Sequence, residues 1–167
     1  TYNGDHMSMY GVNSSIPKTL IAPIIGWIAN EFFNGEIKNI LEDIMLTPIS
    51  PELLPPSSNG EIIQKTEENV GPYELHDFFL YYVMKFGYKP SKILFLTEIA
   101  FENKYSNKEI VKWLKIFYKR FFSQQFKRSC MPDGIKTGSV NLSPRGSLSM
   151  PSDADVSLWL KDLEIEA

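Results

Sequence analysis

Residues 106–122 read SNKEIVKWLKIFYKRFF, and their spacing decides how the rest of the chain is read. Ser106 followed three residues later by Glu109 is the S-x-x-E pattern of a helix start, in which each side chain satisfies a backbone N–H near the other. Ile110, Leu114, Phe117 and Phe121 then recur at three- and four-residue intervals, which is one face of an α-helix. Lys108, Lys112, Lys115 and Lys119 fall on a second stripe, which reads as a solvated face. A helix that reads a nucleic-acid groove would carry Arg or Asn at base-reading positions where this one has lysine, so no nucleic-acid partner is expected.

The helical period continues on both sides. Residues 72–86 (PYELHDFFLYYVMKF) set Leu75, Phe78, Phe79 and Tyr82 on one side, with Gly87 placed to stop the helix. Residues 90–101 begin another at Pro90. Residues 17–33 (PKTLIAPIIGWIANEFF) predict a buried helix, capped by Ser14 or Ser15 and kinked at Pro23, whose ring opposes the Thr19 carbonyl. Residues 35–45 bring Ile37, Ile40, Leu41 and Ile44 to helical spacing. A last helix is expected to open at Pro151, Ser152 and Asp155 and to reach about Glu164, with Val156, Trp159, Leu160 and Leu163 as its apolar side. Residues 1–15, 46–70 and those after 127 are loop-forming. The middle one packs four prolines into residues 46–60, before the acidic and weakly periodic EIIQKTEENVG. No stretch alternates as a strand does and no repeat recurs, so the fold class is mainly α.

The 167 residues (19.1 kDa) suit one globular domain or a large piece of one. A 43% hydrophobic and 13% aromatic composition excludes wholesale disorder. Cys130 is the single cysteine, which excludes a disulfide framework and a multi-thiolate zinc site, and His6 and His76 are too few for a metal centre. The apolar runs fall well short of the ~18 residues a membrane span needs. The opening TYNGDHMSMYG has neither the basic flank nor the apolar core of a signal peptide, nor an initiator Met, and reads as an internal start in a cytoplasmic protein. The net charge of −3 conceals an asymmetry: residues 1–70 carry nine acids and three bases, 71–150 six acids and thirteen bases, and 151–167 five acids and one base. A cationic middle between acidic ends suits an anionic partner or the chain's own ends.

Individual candidates are few. His76 reads as a hydrogen-bonded core residue. Cys130 lies beside Lys127 and Arg128, which favour thiolate, but no base accompanies it locally, so it reads as incidental. Asp5 and His6 are adjacent, so their side chains diverge. Lys18 stands in the first turn of a helix, where the macrodipole disfavours a cation unless an anion is nearby. Lys127, Arg128 and the loop 136–146 with Lys136 and Arg145 read either as a cradle for a negative ligand or as plain surface.

Three blocks, GDHMSMYGVNSSIPKTL (4–20), FSQQFKR (122–128) and LSPRGSLSMPSD (142–153), come in the order in which they occur in the synthetase region of glutamine-dependent NAD synthetases. The chain resembles that family over nearly its whole length, as the C-terminal part of a synthetase domain. The resemblance implies a helical portion of a Rossmann-like α/β domain of the adenine-nucleotide-α-hydrolase type. It implies an ATP-dependent carbon–nitrogen ligase in which the carboxylate of deamido-NAD is adenylated by ATP with Mg2+. Pyrophosphate leaves, and ammonia from a glutaminase domain then releases AMP to give NAD. Carried over residue by residue, Lys18 and Ser50 match ATP contacts, Thr1 and Tyr2 match the end of a deamido-NAD-binding segment, and Lys127 matches a deamido-NAD contact. Residues 46–70 match a loop that folds over the site. A homo-oligomer is implied. The family's SGGxDS pyrophosphate loop, its metal-serving acids and the Cys-Glu-Lys glutaminase set are absent from these residues, so the isolated chain is expected to be inactive. The alternative expectation is a helical dimerisation or interaction module without catalysis of its own.

Overall fold

The computed structural model describes residues 7–47 and 70–164. Thr1, Tyr2, Asp5, His6, Ser50 and positions 48–69 of the expected 46–70 loop lie outside them. The described helices are α1 (Lys18–Phe32), α2 (Glu36–Leu46), α3 (Tyr73–Phe86), α4 (Pro90–Ala100), α5 (Asn107–Ser123), α6 (Gln125–Ser129) and α7 (Ser157–Asp162). No strand occurs among the described residues. The chain divides into two compact units, one of Thr1–Ile16 with Leu75–Ala167 and the other of Pro17–Glu74.

In the first unit most of the expected α5 stripe is inside: Ile110, Leu114 and Phe117 are buried with Leu75 and Phe79 of α3, Ile93 and Leu94 of α4, and Leu163, but at the end of the helix Phe122 is the buried ring and the expected Phe121 is only partly covered. Phe117 meets Phe79 edge-on at 5.6 Å and His76 at the same distance, so the half-buried imidazole belongs to the aromatic core. The capping box forms: Ser106 N donates to Glu109 Oε2 at 2.9 Å and Glu109 N donates to Ser106 Oγ at 3.3 Å. The Ser106 N–H and, at 2.8 Å, the Ser106 hydroxyl both donate to the Glu109 carboxylate and hold it below the usual carboxylate range. α3 stops at Gly87, whose φ of +61° suits a residue without Cβ.

The terminal helix is shorter than expected. It begins at Ser157, because the Asp155 carboxylate accepts from Ser157 N at 2.8 Å and closes a turn there, while Ser152 Oγ lies 3.4 Å from Ser129 Oγ instead of capping. Its Asp162 accepts from Ser91 N at 2.8 Å and so caps α4 across 71 positions of sequence.

The second unit corrects two expectations. α1 is not a buried helix: Ala29 is its one buried residue, while Leu20, Trp27 and Phe32 are exposed. It packs against α2, with Met45 over Gly26, and a two-helix seam covers one face of each partner. Neither Ser14 nor Ser15 caps it. The N-cap is Pro17, and the helix runs through Pro23. The two serines meet the distant loop 131–148 instead.

Candidate functional site

Lys127 lies on α6, a one-turn helix that the sequence reading did not separate from α5. The break comes at Gln124, and α6 is held in place by side chains that face inward. Gln125 is buried, its Nε2 donates to Met150 O at 3.1 Å, and its Oε1 accepts from Arg128 Nε at 2.8 Å. Arg128 also donates to the Phe121 carbonyl and lays its guanidinium 4.3 Å from the centre of the Phe121 ring. Burial lowers its pKa to about 10. The neighbouring cations thus divide the work: Arg128 fastens α6 to the end of α5, and Lys127 remains exposed on the helix so fastened. Through Gln125, the FSQQFKR block is also fastened to the loop that carries Pro151, Ser152 and Asp153.

A second junction joins the loop 7–16 to the loop 131–148. Gly11 N donates to Asp133 O at 2.7 Å and Leu142 N to Ser14 O at 3.2 Å. Ser15 Oγ donates to Ile135 O at 2.9 Å, accepts from Thr137 N at 2.9 Å and lies 2.8 Å from Thr137 Oγ1. Gly134 has no room for a side chain, since a Cβ there would collide with Ser14 Oγ and the Gly11 carbonyl. Asn141 is buried, accepts from Ser143 N at 2.9 Å and points its amide at Gly134 O, 3.4 Å away. Arg145 pairs with Asp133 at 2.8 Å. Segments 120 positions apart are thereby closed on one another by polar contacts.

Lys18 is the first residue of α1 and exposed. It belongs to the Pro17–Glu74 unit, whereas Lys127, Lys136 and Arg145 belong to the other. Cys130 is an exposed free thiol. Among the described residues no group of three His, Cys, Asp or Glu could hold a metal ion, and no helix is long and apolar enough to cross a membrane. The sequence reading missed Gln125 and Arg128 as a pair, although their i,i+3 spacing was available as a signal. It also missed the Ser15 junction, for which no local signal exists.

Over 98% of its length the chain is 42% identical to the glutamine-dependent NAD(+) synthetase of Mycobacterium leprae (strain TN). It is 40% identical over the same share to the proteins of that name from Mycobacterium bovis (strain ATCC BAA-935 / AF2122/97) and Mycobacterium tuberculosis (strain ATCC 25618 / H37Rv). The chain spans about a quarter of the length of these curated relatives, 27% of the first and 26% of the others. No protein-family profile matches it. The resemblance to glutamine-dependent NAD synthetases read from the three sequence blocks is borne out by these relatives.

Proposed function

We propose, from this likeness to glutamine-dependent NAD(+) synthetases, that the chain serves NAD biosynthesis as the C-terminal part of a synthetase domain. That domain would join the carboxyl group of deamido-NAD to ammonia at the expense of ATP. In the first step the carboxylate oxygen attacks the α-phosphorus of ATP, pyrophosphate leaves, and an acyl-adenylate forms. In the second, ammonia derived from glutamine adds to the acyl carbon and AMP departs with the bonding pair, giving NAD. Both substrates are polyanions, so the chain's part in the reaction is to supply fixed cations. Lys127 is the deamido-NAD contact: its exposed ammonium stands on a helix turn locked by Gln125 and Arg128, so the backbone beneath it is already ordered when a phosphate or carboxylate binds. Lys18 and Ser50 serve ATP, and Thr1 and Tyr2 complete the deamido-NAD segment. Residues 46–70 close over the site and keep water from the acyl-adenylate. Mg2+ enters with ATP. The described residues have no acidic cluster to hold it, so the protein's part in its binding is assigned to none of them.

The observation that carries this reading is 40–42% identity over 98% of the chain, and beside it stands an exposed Lys127 whose neighbour Arg128 is spent on structure. The surrounding sheet of the Rossmann-like domain, the glutaminase domain and the oligomer belong to the same proposal. In the natural polypeptide, Lys127→Ala should weaken deamido-NAD binding by about 1.5–3 kcal/mol, the worth of a charge-assisted contact. Lys18→Ala should slow adenylation with little effect on unfolding. Unchanged kinetics in both variants would overturn the residue assignment. One observation favours a second reading, a helical docking module: α1 and α2 leave Trp27, Phe32, Ile40 and Leu46 exposed.

A further inference from the structure

The loop junction fixes the backbone around a single residue. The Ile135 carbonyl and the Thr137 N–H belong to the two peptide groups on either side of Lys136. Ser15 Oγ holds both, at 2.9 Å each. Rotation about the N–Cα and Cα–C bonds of Lys136 moves those two peptide planes, so one hydroxyl oxygen fixes both its backbone dihedrals and the direction of its Cα–Cβ bond. Thr137 Oγ1 at 2.8 Å adds a third contact to the same oxygen. Gly134 on the same strip of backbone is pressed against Ser14 and Gly11, which blocks sliding of the loop.

The residue so held is an exposed lysine. Among the described residues no carboxylate pairs with it, since Asp133, the acid in this loop, is taken by Arg145 at 2.8 Å. From Lys127 to Arg145 the sequence carries four cations and one acid, so the surplus is positive. A solvated lysine gains nothing from a fixed backbone, whereas a lysine that meets a phosphate is strengthened by it, because less freedom is lost on binding.

We propose that Lys136 is a further phosphate-binding residue for the dinucleotide substrate, and that Ser15 is the residue that positions it. The inference rests on the deamido-NAD reading above and adds two residues to it.

The test uses the natural polypeptide that carries this chain, with deamido-NAD as the probe, and follows KM, kcat and thermal unfolding. Lys136→Gln should raise KM for deamido-NAD about tenfold or more while kcat and the unfolding temperature stay near the parent's, since the side chain is exposed. Ser15→Ala should raise the same KM by a smaller factor, and Ser15→Thr, which keeps the hydroxyl, should restore it. Ser15→Ala placed in the Lys136→Gln background should add almost nothing, because its effect passes through the missing ammonium. A Lys136→Gln variant with parental KM, beside a Lys127→Ala variant that binds poorly, would overturn this inference and leave the deamido-NAD reading standing. Parental KM in both would overturn the two together. An equal loss from Ser15→Ala with or without Lys136 would reduce Ser15 to a purely structural residue and overturn its positioning role.

Discussion

α5 and α1 are helices of similar length, seventeen and fifteen residues, and the more apolar of the two is the less buried. α5 carries five lysines and arginines among its residues, yet hides Ile110, Leu114, Phe117, Tyr118 and Phe122. α1, KTLIAPIIGWIANEF, has one charge at each end of its sequence and hides Ala29. The difference is one of partners. α5 packs against α4, α6 and α7, and its core stripe also meets rings of α3, so its apolar stripe has several surfaces to press on. α1 packs on α2, whose own Ile37, Ile40 and Ile44 remain half exposed. Apolar content states what a helix could bury. Burial is decided by how many faces meet it.

The contrast can be broken by comparing truncations. Leu114→Ala should cost about 2–5 kcal/mol of unfolding free energy in a denaturant titration, for lost transfer energy and a cavity. Ile40→Ala in α2 should stay within about 0.5 kcal/mol. A cost at Ile40 comparable to that at Leu114 would mean that the α2 stripe is covered by other polypeptide in the assembled protein, which would favour the docking reading of this hairpin.

A smaller effect sharpens the picture inside the first unit. Gln125→Ala strips a partner from both Arg128 and Met150 O, so it should cost about 1–3 kcal/mol. It should also speed amide exchange in the 125–152 region before global unfolding. Next comes the capping box. Ser106→Ala should cost about 1 kcal/mol. Because Glu109 is held below the usual carboxylate range by Ser106, its contribution is full above the unfolded pKa and is lost as the pH falls through the folded one. The penalty of Ser106→Ala should therefore shrink in acid, seen as melting curves for parent and variant that converge as the pH falls below the usual carboxylate range. Smallest of all is Tyr118→Phe. Among the described residues the buried Tyr118 hydroxyl has no hydrogen-bond partner, and burial together with the Asp162 charge pushes its pKa up. Removing that oxygen should leave stability within about 0.5 kcal/mol or raise it. A clear loss would reveal a bridging water between Tyr118 and Asp162.

Much of the helical layout was legible because its causes are local. The S-x-x-E start of α5, the Gly87 stop of α3 and the Pro90 entry to α4 act over one turn of backbone, and each stands within a residue or so of where its signal lies. α7 was misjudged for a related reason: Asp155 can cap or can close a turn, and both are local options. The candidate site was legible in part. Lys127 and Lys18 could be singled out as cations at helix ends. That Arg128 is structural was not readable, since its partners include the Phe121 ring and the Gln125 amide, whose geometry depends on a break at Gln124. Ser14 and Ser15 were assigned to a cap because capping is what serines before a helix do most often. The Ser15 hydroxyl instead finds partners some 120 positions away, and Ser14 meets Leu142 through its carbonyl.

From the amino-acid order alone came the mainly helical class, the α5 stripe and its cap, the basic middle of the chain, and the likeness to glutamine-dependent NAD(+) synthetases. Those properties depend on neighbours three or four residues apart, or on the order of residues itself, and both are written in the chain. The tertiary structure decided that α1 stays largely exposed, that Arg128 is anchored while Lys127 is exposed, and that Ser15 holds the backbone on both sides of Lys136. Each of those outcomes depends on which distant surfaces meet, and a hydroxyl or a guanidinium carries the same donors whichever partner the fold brings to it.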